Sequence, residues 1–449
     1  MQDDDLAKLT DALLDAARKA GAPEADAIAV DGRSVSIDVR AGALEQAERA
    51  EGVEIGLRVL LDGRQACVSA SDISARTISD MAERAVAMAR EAPRDPCVGL
   101  ADAAQLARSW DLAALELEDP SAEPAPADLE RDAREAEAAA LSVAGVTQVQ
   151  AASASYSRRR LHIAASNGFS GGYGRSSRSV SAVAISGEGL TMERDWAAEA
   201  RIWQADLPPA AEVGLLAGQR AAERAGPRRP PTGSYPVVFD ERIAGSLVSH
   251  LLAAINGTAI ARGASWLRDG LGGPVLPAGL SLIEEPHRPR ISGSRPFDAE
   301  GLPTARRAIV QEGILTGWTL DLATARKLGM TSTANAGRGT SSPPAPGVGN
   351  VTLTQGSASR ADLLRDMGTG LLITSFIGAT INPTTGDYSR GASGFWVEGG
   401  EIRYPVNECT VAGNLREMLA RITPANDARP HLSHVVPSLL VEGLTLAGE

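Results

Sequence analysis

At 449 residues the chain is long enough for about three folded units, and its 43% apolar and 22% charged residues place it outside the disordered, collagenous and disulfide-framework classes. Fifty-six acids against 44 bases leave a net charge of -12, a field that repels phosphate backbones, and no basic stripe offsets it; the composition argues against a nucleic-acid binder. Three cysteines (Cys67, Cys97 and Cys409), odd in number and far apart, suit a reducing compartment and predict a cytoplasmic protein. The acidic opening from Met1 through Asp5 is unlike a signal peptide, and no apolar run approaches the ~18 residues of a membrane span.

Residues 4–20 place Leu6, Leu9, Leu13, Leu14 and Ala17 at helical spacing and stop at Gly21 and Pro23, which predicts an amphipathic helix. Alternating stretches at 27–40, 44–50 and 52–69 predict a meander with turns at Asp31-Gly32 and Asp62-Gly63. Helical spacing returns over 71–92 through Ile73, Ile78, Met81, Ala85 and Met88, closed by Pro93 and Pro96. These elements predict an N-terminal α+β domain over 1–98. Prolines at 93, 96, 120, 124 and 126 break periodicity and predict a linker over 99–127.

An Ala- and Glu-rich helix at 128–143, four strands at 146–157, 160–166, 173–187 and 189–204, and a helix opened by Pro208 and Pro209 predict a middle α+β domain over 128–226. Its helix–meander–helix order repeats that of the first domain without a matching residue pattern. After the stiff stretch 226–233, residues 233–449 are rich in Gly, Thr and short apolar runs. They predict a β-rich C-terminal domain with strands at 237–239, 351–354, 371–374 and 395–397 and helices near 241–256, 320–328, 359–367 and 412–421. The Gly/Pro stretch 334–349 reads as a loop of a length that more often serves function. The fold class is α+β, in three units.

A hydrolytic zinc site on a helix needs His-Glu-x-x-His or a near variant, so that lone pairs converge on one ion. His250 lies on a predicted helix, but Leu251 stands where the general-base Glu would be, and Ala254 and Ile255 stand four and five residues on. Pro286 breaks the helix that would align Glu284, Glu285 and His287, so that stretch reads as a surface loop. His431 and His434 have ligand-like spacing without a third donor nearby. Cys409, with no His or basic cluster beside it, reads as an inert thiol. Nucleophile-elbow, phosphate-loop and dinucleotide motifs are absent.

The stretch 382–402 is the most informative. It gathers hydroxyls, an amide, a carboxylate and several Gly into a turn that feeds a hairpin closed at Glu398-Gly-Gly-Glu401. Small polar residues with accessible backbone suit pairing with an extended peptide. Asn382, Thr385, Gly386, Asp387, Ser389, Gly391 and Ser393 are therefore candidate peptide-contacting residues. A self-satisfied turn at Asp387 and Ser389 is the competing reading, and a carboxylate pair of Asp387 with Glu398 or Glu408 is a third.

These residues also carry a likeness. Asn382-Pro-Thr-Thr-Gly-Asp-Tyr-Ser389 with Gly391-Ala-Ser-Gly-Phe395, and Asn407-Glu-Cys-Thr-Val-Ala-Gly-Asn-Leu415, resemble the signatures of the TldD/PmbA family, PmbA (TldE) branch. Phe297-Asp-Ala-Glu-Gly301, Ala325-Arg-Lys-Leu-Gly329 and Gly99-Leu-Ala-Asp102 add to it, so the resemblance spans nearly the whole chain. It implies a cytosolic subunit that pairs with a TldD-type metalloprotease subunit acting on unfolded or extended peptides. In that family the TldD subunit holds zinc through a His-Glu-x-x-x-His helix and a Cys. None of those ligands carries over here, so the resemblance implies a metal-free chain with no catalytic residue of its own, forming one wall of a peptide channel and the partner interface. A homodimer in the partner's absence is also implied, and a non-proteolytic, gyrase-modulator-like binding protein is the alternative.

Overall fold

Residues 3–91 run helix, three strands, helix in a computed structural model that describes residues 3–448; Met1 and Gln2, at the head of the acidic opening, and Glu449 lie outside the described residues. Helix α1 (Asp3–Lys19) turns Leu6, Leu13 and Ala17 inward, as the spacing predicts. Strands β1 (Glu24–Arg40), β2 (Ala43–Leu61) and β3 (Arg64–Ala70) form the meander, and α2 (Ala75–Glu91) begins at Ser74, whose hydroxyl accepts from the Thr77 amide. A short α3 (Leu112–Leu115) precedes α4 (Pro126–Leu141), β4 (Val146–Ala165), β5 (Ser170–Ser186), β6 (Glu193–Arg201) and α5 (Ala210–Glu223).

Several expected breaks are not there. Asp31-Gly32 is no turn: Gly32 sits inside the ladder, opposite Gly52 on β2 and Arg159 on β4, and two flanking strands hold its backbone extended. For the same reason 44–50 and 52–61 are one strand. The middle meander has three strands rather than four, because 146–157 and 160–166 run on as β4.

The two α+β units share a single six-stranded sheet of order β3-β2-β1-β4-β5-β6. Its centre is the antiparallel β1–β4 pairing, from Asp26↔Ala165 to Val39↔Ala152. Side chains alternate along β1. Ala25, Ala27 and Ala29 meet α1 and α2, and Val35, Ile37 and Val39 meet α4 and α5 on the same face. Asp26, Ile28 and Val30 point the other way, toward the C-terminal domain.

That domain comprises β7 (Gly233–Phe239), α6 (Glu241–Ala254), α7 (Gly257–Ala261), β8 (Leu282–Glu284), β9 (Arg307–Gln311), β10 (Ile314–Leu315), α8 (Leu322–Lys327), β11 (Ala336–Gly337), β12 (Ala345–Pro346) and β13 (Val351–Leu353). It continues through α9 (Arg360–Met367), β14 (Gly370–Ile381), β15 (Asp387–Glu398), β16 (Glu401–Asn414), α10 (Leu415–Leu419), β17 (Ile422–Pro424), β18 (His434–Val435) and β19 (Leu439–Ala447). Strands β16-β15-β14-β7-β19 close into a barrel through a β16–β19 pairing, with β17 added on β19. Phe239, Leu247, Leu251, Tyr388 and Trp396 fill the core between barrel and α6. A smaller sheet, β10-β9-β8-β13-β18, lies beside it. The helix expected over 412–421 is shorter, because β16 continues to Asn414, whose side chain then caps α10. Glu284 is not on a surface loop: it is buried in β8 and accepts from Arg307 (2.7 Å), Asn335 (2.8 Å) and the Gly349 amide (2.9 Å).

The 334–349 loop docks on the sheet. Arg338, fully buried, pairs with Asp26, which also accepts from Arg58 Nε at 2.7 Å. Burial pushes the Asp26 carboxyl up, yet Arg338 and Arg58 outweigh it and hold it below the usual range. Gly56 allows the close approach: a Cβ there would lie 2.1 Å from the Thr340 carbonyl oxygen. Phe297 packs edge-on against Trp110, Phe169 and Tyr173, with centroids 4.8, 5.0 and 5.5 Å away. The 99–127 stretch is thus packed against both sides, with the Ala107 amide on the Gly301 carbonyl at 2.8 Å.

Beneath this contact Glu300 accepts the Leu322 amide at 2.8 Å. Burial first, then Asp298, raises its pKa to about 8. A carboxyl whose folded pKa exceeds its unfolded value stabilises the fold fully below about pH 4.5 and loses that contribution as pH rises toward 8. Between pH 5 and 8 the unfolding free energy of the native chain therefore falls by roughly 2–4 kcal/mol relative to Glu300→Gln. Urea titrations of both proteins at the two pH values check this, and parallel pH profiles would contradict it.

Candidate functional site

The candidate residues sit on the barrel at the β14–β15 connection. Asn382 organises it: its side-chain oxygen accepts from the Thr384 and Thr385 amides at 2.9 and 3.2 Å, and its carbonyl accepts the Gly386 amide at 2.9 Å. Gly386 has φ +82°, a conformation other residues rarely adopt, and Trp266 lies beneath it. The exposed Asp387 carboxylate accepts from the Thr385 hydroxyl at 2.6 Å and from Asn414 at 3.2 Å, which together hold its pKa below the usual range. The turn is therefore internally satisfied and still presents Asp387 to solvent. At the other end, Gly399 and Gly400 both have positive φ and make the tight β15–β16 turn.

Odd-numbered residues of β15 share the outer face of the barrel, while Tyr388 and Ala392 point into the core. Asn382, Thr385 and Asp387 are exposed at the turn, Gly386 is buried among them, and Ser389 and Gly391 are half-buried farther along. Gly391 leaves no room for a side chain, since a Cβ would lie 2.8 Å from the Ile377 carbonyl oxygen. Ser393 does not share the accessible surface. It is fully buried, its hydroxyl bonded to Ser375 and to Arg224, both at 2.7 Å.

Arg224 belongs to a network that local sequence patterns do not signal. It reaches Asp195 at 3.4 Å; Asp195 accepts from Arg242 at 3.2 Å, and Arg242 reaches Asp240 at 3.1 Å. Asp240 accepts the Arg242 amide at the start of α6 and also pairs with Arg360 at 2.5 Å. This run of alternating charges fastens β6 to the barrel. The partners come from distant segments, and only their single charges are visible in the sequence.

The carboxylate-pair reading fails on distance. Glu398 lies eleven residues beyond Asp387 on the same strand, roughly 35 Å at the usual strand rise. Glu408 is exposed and paired with Arg229 at 2.7 Å.

Potential metal donors do not converge. Among the described residues no three His, Cys, Asp or Glu side chains form a group able to hold an ion. His250 stands alone on α6, its ring against Tyr388 at 5.9 Å, and burial together with Arg390 lowers its pKa. His287 bonds to Thr304, and His431 lies beside Glu199 and Arg429. The Cys409 thiol is buried and donates to the Ala392 carbonyl at 3.2 Å; burial pushes its pKa up to about 11. These residues do not fit a zinc site.

Comparisons with known proteins cover the whole length. Family models match at residues 25–89 (PmbA/TldA metallopeptidase domain 1), 116–226 (central domain) and 232–448 (C-terminal domain). Metalloprotease PmbA of Escherichia coli O157:H7 is 35% identical, over 92% of this chain and 90% of its own. The PmbA homolog of Haemophilus influenzae is also 35% identical, over 100% of this chain and 97% of its own. A Bacteroides thetaiotaomicron protein described as a candidate modulator of DNA gyrase superposes with a TM-score of 0.92 at 27% identity, covering 100% of both chains. TldE of Thermococcus kodakarensis shares the fold, with a TM-score of 0.84 at 20% identity over 98% of this chain and 100% of its own.

A thiol with a pKa about 11 is protonated at neutral pH and unreactive. Alkylation of the native chain at pH 7.5 should modify Cys97, which is partly accessible, and leave Cys409 unmodified until the chain is unfolded. Peptide mapping reads the outcome, and rapid labelling of native Cys409 would contradict it.

Proposed function

The chain belongs to the PmbA/TldA metallopeptidase family, and from that membership we propose that it is the metal-free member of a two-subunit zinc peptidase whose TldD-type partner carries the metal. The observation that carries the reading is the donor geometry among the described residues: α6 presents one isolated histidine, and Cys409 in the barrel core is protonated and hydrogen-bonded. A zinc ion needs about four converging donors, three of them from protein in a catalytic site. Bond cleavage is therefore assigned to the partner, and this chain holds that partner in its active arrangement.

Its second role is to line the path of an unfolded peptide. The Asn382–Asp387 turn, with Asn382, Thr385 and Asp387 exposed and Gly386 buried beneath them, supports this role, and Ser389 and Gly391 continue the same outer face. Three free cysteines accord with a cytoplasmic setting. No helix among the described residues is long and apolar enough to cross a membrane.

The test is reconstitution. The purified chain, a TldD-type subunit and their mixture are each given an unstructured peptide; cleavage is expected from the mixture and is lost to a chelator. Chelator-sensitive cleavage by this chain alone would overturn the assignment. A mixture without turnover would favour a regulatory binding protein that acts without proteolysis. In the active mixture, Asp387→Ala with Ser389→Ala should lower kcat/KM by about three- to tenfold, the effect of one or two lost polar contacts, while leaving the urea midpoint nearly unchanged. Unchanged turnover would confine the turn to a structural role.

A further inference from the structure

Between α6 and strands β14 and β15 lies a hollow of about 420 Å³, within the usual range for small-molecule sites. Two irregularities of β14 shape it. The β14–β15 register shifts between Ile373 and Ser375, which leaves Thr374 as an extra residue without a partner, and again between Ile377 and Thr380, where Gly378 takes φ +64°. Bulges of this kind re-aim a side chain. Thr374, from the first, lines the hollow. The carbonyl of Gly378, from the second, accepts from Arg390 Nε at 3.0 Å and holds the guanidinium 4.1 Å over the Phe376 ring.

The hydroxyls here have no partner in the chain. Thr374 is only 4% exposed, yet its Oγ1 makes no hydrogen bond, and the buried Oγ of Ser246 on α6 makes none either. One turn farther along α6, the Nε2 of His250 is also unpartnered. Burying polar atoms without partners is costly, and a ligand that accepts from them removes the cost.

The charges choose what kind of ligand. Among the described residues no acid lines the hollow, and Arg390 has no ion pair. Its Nε is taken by Gly378, which leaves the Nη groups for a ligand. Among the described residues Arg390 is also the one charge that acts on His250 and Tyr388, so no carboxylate faces it from α6 or β15. Arg242, the second guanidinium of the hollow, is committed to Asp195 and Asp240, which Arg224 and Arg360 also engage. Glu241 lines the neighbouring cleft instead, and burial pushes it toward its neutral form. One free guanidinium and two hydroxyl donors suit an acceptor with a single negative charge. Phe376, Ile243 and Trp196, half exposed at 52%, supply apolar wall.

We propose that this hollow binds a small carboxylate with an apolar body, the carboxylate on Arg390 and the Thr374 and Ser246 hydroxyls and the body against Phe376, Ile243 and Trp196. Binding needs neither a metal nor a second subunit, so it stands or falls apart from the function proposed above.

Calorimetric titration of the full chain alone with phenylacetate and with its neutral counterpart phenylacetamide tests this. Phenylacetate should bind about tenfold or more tightly than the amide, the effect of one charge-assisted hydrogen bond. It should also bind about tenfold more tightly than acetate, which lacks the ring, and inorganic phosphate should bind no better than acetate. Arg390→Gln should remove the preference for acid over amide and Arg390→Lys keep part of it. Urea midpoints confirm that these variants are folded. Thr374→Val deletes a hydroxyl that the free chain leaves unpaired. It should weaken phenylacetate binding by about three- to tenfold while the urea midpoint holds or rises, whereas a hydroxyl needed for the fold would lower the midpoint. A free acid and a peptide C-terminus present the same group: N-acetyl-Ala-Ala-Phe binding about tenfold more tightly than phenylacetate identifies a peptide end, and equal or weaker binding a free acid. No saturable binding of phenylacetate, equal binding of acid and amide, a preference that survives Arg390→Gln, or phosphate binding more tightly than phenylacetate overturns the proposal.

Discussion

A carboxylate removed from water between two guanidinium groups fixes the architecture. Asp26 is buried on the face of β1 opposite the helices, bonded to Arg58 of the neighbouring strand and to Arg338 of the C-terminal domain. Taking one partner from such a cluster leaves a buried charge uncompensated, at a typical cost of about 3–5 kcal/mol. The 334–349 loop is therefore committed to the sheet, and the close approach of Thr340 to Gly56 sets its depth. With helices on one face and the C-terminal domain on the other, the relative position of the units follows. The Asp195–Arg242–Asp240 run repeats the device at the far edge and pins β6 beside the barrel.

This arrangement separates two kinds of surface. The barrel core is closed to chemistry: Tyr388, Trp396 and Cys409 are buried there, and the thiol is protonated. The polar, accessible features lie outside it, on the β14–β15 turn and in the hollow beside α6. These surfaces are the ones assigned above to the proposed substrate and ligand roles, while among the described residues the imidazoles are too scattered to bind an ion.

Much of the fold was legible because local patterns agreed with the final packing. The Leu6, Leu13 and Ala17 spacing gave α1, Gly399-Gly400 gave the β15–β16 turn, and the repeated helix–meander–helix order proved to be two units whose sheet order reads alike from either edge. What stayed hidden was set by distant partners. Gly32 looks like a turn until Gly52 and Arg159 flank it in a ladder. Glu284 looks like a surface acid until Arg307 and Asn335 meet it in the interior. The pairing of Asp26 with Arg338 spans 312 positions and leaves no local trace. Of the candidate site, the Asn382–Asp387 turn was readable from its small polar residues, whereas the burial of Ser393 depends on Arg224, which lies 169 positions away.

Everything functional rests on this chain supplying no ligand to the zinc. Elemental analysis by mass spectrometry, on the chain purified alone without chelators and on its complex with a TldD-type subunit, tests that most directly. The account predicts no stoichiometric zinc in the isolated chain and one ion per complex, retained when His250→Ala and Cys409→Ala are combined in this subunit. One zinc per isolated chain, lost in that double variant, would contradict it.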